Sequence, residues 1–174
     1  MGFVLITSNY KWILIEALVQ IVLYLIFNFT GGAMRGKHFN PKFMAQFEPE
    51  LAKVSKKPPP LGVPDCGNGK FSEKLSHKDW LEYNTVMFLA QSAIHSIYAN
   101  LFVTLALGIY SNAAGIVVGL FLIVYRIAYS VVGRVSNTLL PILEPLNHIL
   151  LFAGSAAIFV LGLTKASEAN PTSV

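Results

Sequence analysis

The residues able to do chemistry in this sequence are polar side chains set inside long apolar runs. Tyr125-Arg126-Ile127-Ala128-Tyr129 puts a guanidinium and a phenol three residues apart, on one face of a helix. Such a pair can hold an anion or carboxylate inside a bundle. The plainer reading is an arginine snorkelling to the interface beside an interfacial tyrosine. Glu16 and Gln20 are four apart and also share a face. A carboxyl there is a partner within a helix interface, a group reaching for water, or part of a proton-relay or quinone-type site. Gln91 and His95 are four apart, and Ser92, Ser96 and Asn100 repeat that spacing. This polar stripe is expected to face protein, as glue between helices. A bis-histidine haem is disfavoured. His95 would lie roughly 18 Å deep at 1.5 Å per residue, whereas His148 lies near the start of its run.

These groups need apolar elements around them, and the composition supplies little else. Of 174 residues, 54% are hydrophobic and 13% charged, more apolar surface than a soluble domain of this length can hide. Lipid offers the backbone no hydrogen-bond partners, so a span requires about 20 mostly apolar helical residues. Four runs qualify, at about 12–29, 86–109, 113–132 and 146–163. Gly31-Gly32 is expected to end the first. Pro141 and Pro145 are expected to precede the first turn of the fourth. Tyr10, Trp12, Trp80, Tyr83 and Tyr110 flank the runs as interfacial rings. Ser111-Asn112 is so short a link that runs two and three form an antiparallel hairpin. Gly115 and Gly119 make a GxxxG, which permits close helix packing. The expected fold is an all-α integral membrane protein, a four-transmembrane-helix bundle forming a single domain over 1–174.

A long basic loop over 31–82 joins the first two spans. It carries Arg35, Lys37, Lys42, Lys53, Lys56, Lys57, Lys70, Lys74 and Lys78. The net charge of +4 is therefore read as a membrane flank facing anionic lipid, not a nucleic-acid surface. The positive-inside rule puts this loop on the cytoplasmic, matrix or stromal side and both termini on the other. Pro58-Pro59-Pro60 is expected to form a stiff polyproline II spacer, and Ser76 to Asp79 to cap a helix feeding span two. Phe71, Leu75 and Trp80 are expected to rest on the lipid surface. Cys66 stands alone, in a turn, and is read as an ordinary loop thiol. The first run lacks a basic n-region and a cleavage site. There is no internal repeat, P-loop, GxGxxG or CxxC, and no metal site is expected.

The order of features resembles the membrane-associated eicosanoid and glutathione metabolism (MAPEG) family, the microsomal glutathione transferases, best over about 83–133. The resemblance implies a MAPEG-like four-helix bundle in which Arg126 and Tyr129 match the third-helix motif. Arg35 matches the basic residue after the first helix. It also implies a damaged second-helix site. The family's arginine, histidine, asparagine and glutamate fall on Phe88, Ala90, Ser92 and His95, and Phe88 cannot pair a carboxylate.

The expected function is a non-catalytic accessory subunit, a pseudoenzyme, within a larger respiratory or photosynthetic membrane complex. Its partners would be lipids and other membrane subunits, or two further copies in a homotrimer. A mitochondrial inner membrane is the first expectation, with plastid or endoplasmic reticulum as alternatives. No cofactor is expected. The alternative is a glutathione-dependent transferase, peroxidase or isomerase of lipophilic substrates, with Arg35, Arg126 and Tyr129 binding glutathione. A transporter fits poorly, since an alternating-access machine is usually built from repeats.

Overall fold

The computed structural model describes residues 9–53, 59–136 and 138–169, with side chains described as far as 165. Lys56, Lys57 and Pro58 lie outside these. Four long helices dominate: α1 (Tyr10–His38), α4 (His77–Tyr110), α5 (Asn112–Val135) and α6 (Leu140–Ala169). Two single-turn helices, α2 (Pro41–Met44) and α3 (Glu48–Leu51), lie between α1 and α4. There is no strand among the described residues. Each long helix has the length and hydropathy to cross a bilayer. The chain is an all-α, multi-pass membrane protein.

Two helix boundaries differ from the sequence reading, the end of α1 and the start of α6. Helix α1 runs through Gly31-Gly32 to His38, because lipid and packing, not propensity, hold it. Gly31 serves contact instead: a β-carbon there would lie 3.4 Å from Ala90 and 3.6 Å from the Met87 sulfur. The connection between the first two spans is therefore shorter than the basic stretch, 39–76. Helix α6 begins at Leu140, so Pro141 sits in its first turn and Pro145 inside it. An early proline forfeits little, because first-turn N–H groups have no partner within the helix. The start of α4 follows expectation. Ser76 Oγ accepts from Asp79 N at 3.1 Å and donates to Asp79 Oδ2 at 2.7 Å. Ser111, extended, caps α5 by accepting from Ala114 N.

The chain, read as one domain from sequence, divides into two compact units: Met1–Tyr24 with Ile94–Val174, and Leu25–Ala93. The first unit is a four-helix bundle. Below the Ser111 turn, α4 and α5 meet glycine to glycine. A β-carbon on Gly115 would lie 2.7 Å from Gly108 Cα, and fully buried Ile13 of α1 closes over both. Gly154 of α6 receives Val103, and Gly162 faces the Tyr110 ring.

The second unit holds an aromatic core of Phe39, Met44, Phe47, Tyr83 and Met87. Phe39 meets Tyr83 edge-on at 4.9 Å, and Phe47 meets Phe71 at 4.8 Å, the geometry that ring quadrupoles favour. Phe71 and Leu75 pack against this core rather than on lipid, because the connection carries enough aromatic surface to bury them itself. Pro59 is extended as expected, but Pro60 already turns into a 3-10 helix, Pro60–Gly62.

Candidate functional site

Within the four-helix unit, polar side chains gather at two levels. The first lies where α1, α4 and α5 meet. Glu16, Gln20 and Thr104 are buried together, and Gln20 Nε2 donates to Thr104 Oγ1 at 3.1 Å. The Glu16 carboxyl lies against Gly119, where its Oε2 and the Thr104 methyl occupy the space a β-carbon would need. One helical turn along α4, Asn100 is also buried. Glu16 Oε2, Gln20 Oε1 and Asn100 Oδ1 have no hydrogen-bond partner. Tyr10 nearby donates to the Leu105 carbonyl at 3.0 Å.

The second level holds Arg126, 7% exposed, whose guanidinium donates to Ser96 Oγ and lies 5.7 Å from the Tyr129 ring centre. Tyr129 is 1% exposed and stacks on Tyr125, which bonds the Leu143 carbonyl of α6. Arg126 thus points inward to protein rather than snorkelling. Ser130 behind it bonds the Arg126 carbonyl at 3.0 Å.

The stripe on α4 divides. Ser92, Ser96 and Asn100 are buried, Gln91 is half-buried, and His95 is exposed. One residue is a 100° rotation, so His95 turns outward as Ser96 turns inward. On that outward face Tyr98 is 77% and Phe102 61% exposed. His148 is exposed on α6 and bonds only its own helix, at the Glu144 carbonyl. Thr104 continues the 92-96-100 spacing and was legible in principle, but a threonine in an apolar run is a weak signal.

In the other unit, Arg35 donates to the Cys66 sulfur at 3.4 Å. The turn beside it is built around buried Asp65. Its carboxylate accepts from Gly67 N at 2.8 Å, Gly69 N at 3.1 Å, Ser72 N at 2.7 Å and Ser72 Oγ at 3.0 Å. Burial raises the Asp65 pKa, but these donors outweigh it and hold the carboxyl below its ordinary value. Gly67 has φ +114° and touches the Asn84 side chain, a conformation and a fit that require glycine. Tyr83 donates to the Asp65 carbonyl at 3.0 Å, and Trp80 to the Gly67 carbonyl at 3.2 Å. Nothing in sequence spacing marks Asp65 as this hub. Lys37 pairs with Glu82, and buried His38 lies 3.7 Å from the same carboxylate. No trio of His, Cys, Asp or Glu suited to a metal occurs among the described residues. Of the three residues expected to bind glutathione, Arg126 and Tyr129 are side by side, and Arg35 belongs to the other unit.

The chain matches no protein-family model, no curated protein and no solved structure.

Proposed function

We propose that this protein is a non-catalytic, MAPEG-like subunit of a larger membrane assembly. One observation carries the reading: His95 stands exposed in the middle of α4, with Tyr98 and Phe102 on the same face. Aromatic rings are at home in lipid, but an imidazole in hydrocarbon is costly and calls for a protein partner. An organelle inner membrane, mitochondrial first, supplies assemblies of this kind. The test is a photo-cross-linking amino acid in place of Tyr98 in native membranes. Adducts with other polypeptides are expected. Adducts with lipid alone would overturn the reading.

A second reading rests on Arg126. A buried guanidinium beside Tyr129 is a group able to receive a carboxylate, as a glutathione-dependent enzyme requires. Calorimetry with millimolar glutathione on the detergent-solubilised chain separates the two. Binding lost in Arg126→Ala supports the enzyme, and no binding removes it.

A further inference from the structure

The level at Glu16 has a chemistry that neither reading uses. Three side chains from two helices, Glu16 and Gln20 of α1 and Asn100 of α4, are 6%, 5% and 5% exposed. Each ends in an oxygen with no donor. A buried acceptor left without a donor ordinarily costs about 1–3 kcal/mol, and here three occur together. Thr104 ties the first two: its hydroxyl takes the Gln20 amide, and its methyl shares with Glu16 Oε2 the gap left by Gly119. Asn100 stands one helical turn before it on the same face of α4. Thr104 lies six residues before the end of α4, roughly 9 Å of helix, so the level is inside the span rather than at its mouth.

A proton on Glu16 would turn one of the three acceptors into a donor and serve one of the other two, leaving one oxygen without a partner. A cation can be shared by several oxygens at once, and hard cations select such oxygen ligands. The charge count chooses among cations. Glu16 is the carboxylate of this cluster, so a monovalent ion neutralises it, whereas a divalent ion would leave net charge in a low-dielectric interior. We propose that Glu16, Gln20, Asn100 and Thr104 form an intramembrane site for an alkali cation, with Glu16 Oε2, Gln20 Oε1, Asn100 Oδ1 and the Thr104 hydroxyl as ligands. The Gly119 gap lets the carboxyl sit between α1 and α5, so occupancy would draw these helices together.

The test uses the full chain in detergent and a hydrophobic carbodiimide, which modifies protonated carboxyls in apolar surroundings. In sodium-free choline buffer, mass mapping should find Glu16 modified. Sodium chloride should slow that modification by a factor of one plus the sodium concentration over its dissociation constant, while choline chloride at equal ionic strength should not. Asn100→Leu should weaken the protection. Sodium should also raise the thermal midpoint of the wild type and not of Glu16→Gln. Modification that follows pH but ignores sodium would overturn the site in favour of a bare proton. Absence of modification together with a sodium-independent midpoint would overturn it as well.

Discussion

The Glu16 carboxyl on α1 rests against Gly119 on α5, at a point where no side chain larger than hydrogen leaves it room. The GxxxG of α5 is thereby explained within one chain. Gly115 admits the α4 backbone at Gly108, and Gly119 admits a buried acid.

Gly119→Ala is accordingly expected to destabilise the bundle. The new β-carbon must displace the Glu16 carboxyl or the Thr104 methyl, and overpacking of this kind costs about 1–3 kcal/mol. Reversible unfolding in mixed micelles measures it. Gly32→Ala, inside the same kind of helix but with nothing within 4 Å of the added atom, should instead stabilise, by up to about 1 kcal/mol.

Ser96 and Arg126 should prove energetically coupled. A double-mutant cycle with Ser96→Ala and Arg126→Met is expected to give about 0.6–1.7 kcal/mol, the range seen between membrane helices. Additive effects would mean that Arg126 draws its support elsewhere.

The turn around Asp65 should carry an acid-dependent stability. The folded pKa is lowered, so the stabilisation is complete above the unfolded value, about 3.9, and is lost as pH falls through the lower folded one. Asp65→Asn replaces an acceptor-only carboxylate that holds four donors, and should cost about 1–3 kcal/mol. Protease cleavage within 59–76 should become faster in the variant at neutral pH. In the wild type it should accelerate only in acid.

Tyr83→Phe tests the same turn from the helix side. The ring packing on Phe39 is kept and only the bond to the Asp65 carbonyl is removed. A loss of about 0.5–1.5 kcal/mol is expected, with faster hydrogen exchange at Gly67 and Ser72.

Spans were legible because lipid imposes one requirement, a long apolar helix, that Trp12 to Phe29 or Ala113 to Val132 can hardly meet by accident. Helix ends were less so. Gly31-Gly32 carries the composition of a stop, yet α1 continues because Gly31 packs on Ala90. For Arg126 the sequence left snorkelling as the plainer reading, whereas the inward face of Ser92, Ser96 and Asn100 followed from helical spacing. The outward turn of His95 did not, because neighbouring stripes on a helix differ by a single residue. Asp65 was invisible for another reason: its partners are backbone N–H groups, which every sequence contains.

The mass and composition of the particle released by mild detergent test the central claim most directly. Copurification of this chain with other membrane polypeptides, in one particle far above 19.1 kDa, is the result the subunit reading predicts. A monomer, or three copies of this chain alone, would contradict it.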